Sequence, residues 1–250
     1  MRAIINGKVV LPDRAVENAC LLFDEKIIGL TVKEALPKGT ELIDAGGALV
    51  IPGLIDMHIH GYLGEDASDG TFEGILTMAE GVAKNGVTGF LPTTMTVSYA
   101  DLRAAFAQIR AAIAACKAPD WQGAEILGVN AEGPFINPAR KGAQNGEHVL
   151  LPDPGFLLDF ADVVRITTLA PEMEGGLAFI DAVKAKSDIL ISMGHTDATF
   201  EQAKEAVAHG LGHATHTFNA MTGLNHRAPG VAGAALATVL GQMLGCVIAL

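Results

Sequence analysis

From residue 51 onward the sequence alternates between two hydrophobic patterns. Short apolar runs of the strand type are separated by longer stretches in which apolar residues return every three or four positions. The strand-like runs are LIDMHIH (Leu54–His60), GVTGFLPTT, AEILGVNAEGPF, VVRITTLAPE, DILISMGHT and GHATHTFNA. Between them, FEGILTMAEGVAKNG places Phe72, Ile75, Leu76, Ala79 and Val82 on one helical face. SYADLRAAFAQIRAAIAACK predicts a strongly periodic helix with Ser98 as its N-cap. GGLAFIDAVKAK predicts a third helix, and Phe200, Ala203, Ala206 and Val207 mark a fourth, stopped by Gly210. A strand–helix–strand crossover makes its two strands parallel and puts their carboxyl ends on one rim. About six such units in succession favour a TIM-type (β/α)8 barrel over a doubly wound sheet.

Residues 1–51 have no helical periodicity. AIINGKVVL carries an Asn-Gly turn signal, ACLLFDEKIIGL a charged turn between apolar runs, and TELIDAGGALVIPG follows. This predicts a small all-β portion at 1–51, ahead of an α/β barrel at 52–250. The barrel is read as incomplete: CVIAL, at the end of the sequence, reads as strand seven, and an eighth strand is not reached. The sequence is then either a fragment or closed by strands from elsewhere. Ala228–Leu250 contains no charged residue. Its glycines and Gln242 favour a small-residue helix, PGVAGAALATVLGQ, and a buried strand over a bilayer span.

Charge narrows the function classes. At a formal net charge of −11 the 250-residue chain lacks the basic face that nucleic acid or an anionic membrane requires. A small anionic substrate needs only a local cluster of cations. The three cysteines, Cys20, Cys116 and Cys246, are far apart and show no metal or disulfide spacing. With no secretory signal after Met1, they point to the cytoplasm.

The candidate chemistry gathers at the predicted strand tips. His58 and His60 lie two apart on one strand face, with Asp56 beside them, and make half of a metal site. Glu132 ends the third strand in NAEGPF. His195 and His216 end two neighbouring strands. Five such groups at carboxyl ends predict a divalent-metal centre, and a His/Glu set accepts Zn, Fe and others. Arg140, Lys141, His226 and Arg227 fall in loops above the same rim, where the fork of Arg227 suits a phosphate or carboxylate. His148, His209 and His213 receive no role.

PGLIDMHIHG, NAEGPFINPARKGAQN, LAPE, SMGHTDATFEQA and THTFNAMTGLNHRAPG resemble the N-acetylglucosamine-6-phosphate deacetylases of the amidohydrolase superfamily. The resemblance runs through most of 44–240, and EGPF, GHTxA and HTFNAM are its most specific parts. It implies that the N-terminal strands belong to a small β-sandwich. It implies Glu132, His195 and His216 as principal metal ligands, with His58 and His60 for a second ion, so one or two ions in all. By the same resemblance Asn219 and Ala220 line a sugar-phosphate site, and Arg227 contacts the phosphate across a homodimer interface. Ala143 and the next residue touch substrate; that residue is Gln144 here, where the family commonly has His. The family's general-base Asp falls beyond Leu250, so no catalytic acid–base is expected within the chain and its own turnover is expected to be low. The implied reaction is hydrolysis of the acetamide of a phosphorylated amino sugar, with the metal polarising the carbonyl and a carboxylate moving the proton. Two rivals stand beside it: an amidohydrolase acting on a cyclic amide, and a non-catalytic fragment that binds metal or sugar phosphate.

Overall fold

The structure, a computed structural model, describes residues 1–238; the expected strand CVIAL, the end of the PGVAGAALATVLGQ helix and Cys246 lie outside the described residues. Two compact units divide at Leu54 and Ile55.

The first unit is a five-stranded sheet of β1 (Arg2–Val10), β2 (Ala15–Phe23), β3 (Ile27–Thr31), β4 (Glu41–Asp44) and β5 (Leu49–Val50). Its order is β3-β2-β1-β4, with β5 also on β1. In β1, Ala3, Ile5, Gly7 and Val9 are buried while their neighbours are less so, the period of two that a one-sided sheet demands. Ala3, Ile5 and Cys20 form a small core with Leu22 and Leu36 against it. The Asn-Gly pair is not the expected turn. β1 runs straight through it, with Asn6 at φ 54° and the β1–β2 register shifting on both sides of Gly7. It is a bulge, a second use of a left-handed residue within a strand.

The second unit holds β6 (Leu54–Ile59), the short hairpin β7 (Gly61–Tyr62) and β8 (Glu65–Asp66), β9 (Val87–Thr94), β10 (Glu125–Ile126), β11 (Val129–Ala131), β12 (Val164–Leu169), β13 (Leu190–Met193) and β14 (His213–Ala214). Apart from the hairpin these form one sheet, ordered β10-β9-β11-β12-β13-β14 with β6 on β9. The pairs from β10 to β14 are all parallel, as the crossovers require. The helices are α1 (Phe72–Ala83), α2 (Tyr99–Ala115), α3 (Pro154–Leu158), α4 (Gly176–Lys186) and α5 (Phe200–Ala208). This is the incomplete (β/α) barrel arrangement that the hydrophobic pattern predicts.

Helix faces explain the packing. α2 buries Leu102, Ala105, Phe106, Ile109 and Ala112, which recur on one face of the helix. Ser98 caps it, its hydroxyl accepting the Asp101 N–H. α5 starts on a capping box, Thr199 and Gln202 exchanging hydrogen bonds. The residues 230–238 are helical, in line with the small-residue helix expected there. No described helix is long and apolar enough to cross a membrane.

Two strands depart from expectation. The third is broken into β10 and β11 by Leu127 and Gly128, whose φ of 147° strongly disfavours a side chain. β10 pairs only with β9, whereas β11 inserts between β9 and β12. The sixth ends at Ala214, so His216 stands in the following turn and not on the strand. The long segment after the third strand holds a short helix: Asp153 caps α3, with Pro154 as its first residue.

Candidate metal centre

Five side chains from four strand ends converge. His58 lies on β6 and His60 just past it, Glu132 directly follows β11, His195 follows β13 and His216 follows β14. Glu132 is only 1% exposed and His195 5%. Glu132 Oε1 lies 3.2 Å from His195 Nε2 and 3.0 Å from His216 Nε2, and those two nitrogens are 3.0 Å apart. Glu132 Oε2 lies 3.0 Å from His60 Nε2, and the Nε2 atoms of His58 and His60 are 3.3 Å apart. One carboxylate thus serves two neighbouring groups, Glu132–His195–His216 and His58–His60–Glu132.

Tautomers decide what this arrangement accepts. The Nδ1 atoms of His60, His195 and His216 face the carbonyl oxygens of Thr93, Arg140 and Asn219 at 3.0, 2.8 and 3.1 Å. A carbonyl only accepts, so each Nδ1 carries the proton and each neutral ring turns its Nε2 lone pair inward. Lone pairs 3.0 Å apart repel unless a cation lies between them. Ligand bonds of about 2.0–2.1 Å in a tetrahedron put donor atoms about 3.3 Å apart. The spacings of 3.0–3.2 Å among Glu132, His195 and His216 fit such an ion closely. His58 is held differently: its Nδ1 faces the Asn130 Nδ2 donor at 3.5 Å.

Without a cation, protons must take its place. Burial opposes the Glu132 charge, but hydrogen bonds from His195, His216 and His60 outweigh it and hold the carboxyl far below the usual range. The hydrogen bond to Glu132 raises His216. Burial pulls His60 down, yet its hydrogen bond and charge contact with Glu132 leave it raised as well. Burial lowers His58 on balance. A raised imidazole pKa means that protons compete with metal to higher pH. Divalent-ion affinity is therefore expected to fall steeply from pH 8 to pH 5.5, with protons released on binding, in titrations run in buffers of different ionisation enthalpy. Affinity independent of pH across that window would contradict the assignment.

The local backbone is built to hold this geometry. His195 and His216 adopt φ of 47° and 29°, left-handed positions that cost about 1–3 kcal/mol each for residues with a side chain. The His195 carbonyl accepts the Asn137 N–H at 2.9 Å, and Thr196 N–H donates to Ala220 O at 3.1 Å. Glu172 accepts from Asn137 Nδ2, Thr196 Oγ1 and the Asp197 N–H at 2.9, 2.5 and 2.6 Å. Arg140 adds an ion pair to Asp197 at 2.6 Å. Gly133, at φ 82°, lets the chain turn sharply after Glu132; a Cβ there would run into Thr96 Oγ1.

The sequence signature of the amidohydrolase family matches residues 49–241, which takes in all five converging groups. The chain belongs to the amidohydrolase family.

This amidohydrolase is 36% identical over 203 residues to the N-acetylglucosamine-6-phosphate deacetylase of Lysinibacillus sphaericus, covering 80% of this chain and 51% of that one. It is 33% identical over 204 residues to an N-acetylgalactosamine-6-phosphate deacetylase of Escherichia coli O157:H7, covering 80% of this chain and 53% of that one. The crystal structure of N-acetylglucosamine-6-phosphate deacetylase from Pasteurella multocida superposes with a TM-score of 0.86 at 29% identity, over 94% of this chain and 62% of that one. The chain spans about half the length of the curated relatives it matches.

The other residues singled out in the sequence of this amidohydrolase fall in three places. Asn219 and Ala220 form the turn after His216, Asn219 O bonding His216 Nδ1. Ala143 and Arg227 are exposed, and the Arg227 N–H is held by Asn225 Oδ1 at 3.0 Å. Gln144 is buried against Glu132. Of the histidines given no role, His213 meets Ser192 Oγ and His209 pairs with Asp181. Glu172, in LAPE just past β12, is like Glu132 a carboxylate near a strand end.

Proposed function

We propose that this chain carries the metal-binding half of a deacetylase acting on a phosphorylated N-acetyl amino sugar, in cytoplasmic amino-sugar breakdown. The observation that carries the reading is the trio Glu132, His195 and His216, spaced for one divalent ion. His58 and His60 would hold a second ion beside Glu132, and Zn or Fe suits both donor sets. When bound, the ion supplies Lewis acidity toward the amide carbonyl and toward water.

The chain's own residues hold the ion and the substrate. Both Glu132 oxygens face imidazoles, so Glu132 serves as a ligand and the proton relay belongs to another carboxylate. The turn of Asn219 and Ala220, together with Ala143, is assigned to the sugar. Arg227 is assigned to the 6-phosphate, in a homodimer where it reaches the neighbouring subunit's site. The relatives include deacetylases of both N-acetylglucosamine and N-acetylgalactosamine 6-phosphates, so the 4-hydroxyl configuration is the second choice to test.

The test is calorimetry on the Zn-loaded chain. A charge-assisted contact of about 1.5–3 kcal/mol predicts that N-acetylglucosamine 6-phosphate binds about 10–100-fold more tightly than N-acetylglucosamine. Equal binding of the two, or preference for a cyclic amide such as dihydrouracil, would contradict the reading. Release of free amine in the same samples separates an enzyme from a fragment that binds without turnover.

A further inference from the structure

We infer that Gln144 is a positioning residue for the metal-binding carboxylate and acts through Glu132 instead of touching substrate. The inference rests on the metal reading above. Gln144 is 2% exposed, and its whole amide is engaged. Its Oε1 accepts the Thr96 N–H at 2.6 Å, and its Nε2 donates to Glu132 Oε2 at 2.7 Å. The orientation of the amide follows from chemistry. A backbone N–H only donates, so the end facing Thr96 is the oxygen and the end facing Glu132 is the NH2 group.

This fixes the carboxylate. Oε2 accepts from Gln144 on the side where it faces His60, which leaves Oε1 turned toward His195 and His216. Rotating the carboxylate would break the Gln144 bond. The other end of the amide is anchored just past β9, so Gln144 ties that strand end to the one bearing Glu132. Its backbone is fixed too, the Gln144 N–H donating to Lys141 O at 3.0 Å. Partners that orient a metal ligand are worth about 10–100-fold in metal affinity.

The experiment is Zn2+ competition against a chromophoric chelator at pH 7.5, on the wild-type chain, Gln144→Met and Gln144→His. Met matches the length of Gln and fills the space but offers no donor; His keeps an N–H. The expected result is a loss of about 10–100-fold for Gln144→Met, with Gln144→His within about threefold of wild type. A purely space-filling role predicts the reverse order, because flexible Met packs at least as well as His. Gln144→Met binding as tightly as wild type, or as tightly as Gln144→His, overturns the inference. If Gln144→Met does not fold, Gln144→His decides alone: near-wild-type affinity supports the inference, and a loss of tenfold or more overturns it. A wild-type chain that takes up no divalent ion removes the metal reading itself, a result distinct from equal affinity among the variants.

Discussion

Glu132→Gln is expected to weaken divalent-ion binding by more than about 100-fold, beyond the upper end of what an outer partner of a ligand costs. The substitution keeps the shape of the side chain and removes its charge. Glu132 is the one carboxylate in either candidate group among the described residues, and both its oxygens are in use. Without it, an ion would face imidazoles alone. The same change removes the cause of the raised His216 and His60 values, so both imidazoles should titrate lower in the metal-free variant. Chelator competition measures the first effect and NMR titration of the histidines the second. Metal affinity within tenfold of wild type would show that the ion, if any, binds elsewhere.

Phe106→Ala is expected to cost about 3–5 kcal/mol of stability, the usual range for a large aromatic lost from a packed interior. Phe106 is fully buried on α2. Its ring meets Phe160 edge-on at 5.0 Å and Phe156 at 6.5 Å, and the Arg103 guanidinium lies over both of those rings. The cluster joins α2 to α3 and to the turn that leads into β12. No metal ligand belongs to it, so variant protein that remains folded should bind Zn2+ as the wild type does. Urea unfolding followed by circular dichroism measures the loss. A change below about 1 kcal/mol would mean that the surrounding rings collapse into the space, the behaviour of a loosely packed site.

The contrast between these two sites explains what the sequence could reveal. Apolar spacing reports burial, and α2 is therefore legible in the sequence from Leu102, Phe106 and Ile109. Parallel strands joined by such helices have little topological freedom, which is why five polar groups at strand ends could be read as one cluster. Left-handed backbone was harder. Asn6-Gly7 reads as a hairpin turn, yet β1 absorbs it as a bulge because Gly7 packs where a Cβ would meet Val50. His195 and His216 adopt the same region with no glycine to announce it, because Asn137, Arg140, Ala220 and Glu172 hold the surrounding loops. Those supports come from separate segments of the chain. Neither Glu172 nor Gln144 has a periodicity or spacing that would single it out as a support; their roles follow from contacts across the fold.

The central claim is that Glu132, His195 and His216 share one cation. Crystals of the chain grown with Zn2+, with diffraction recorded on both sides of the zinc absorption edge, test it directly. The account predicts an anomalous peak bounded by Glu132 Oε1 and the Nε2 atoms of His195 and His216. Fully occupied zinc elsewhere, with those three side chains bonded only to one another, would contradict it.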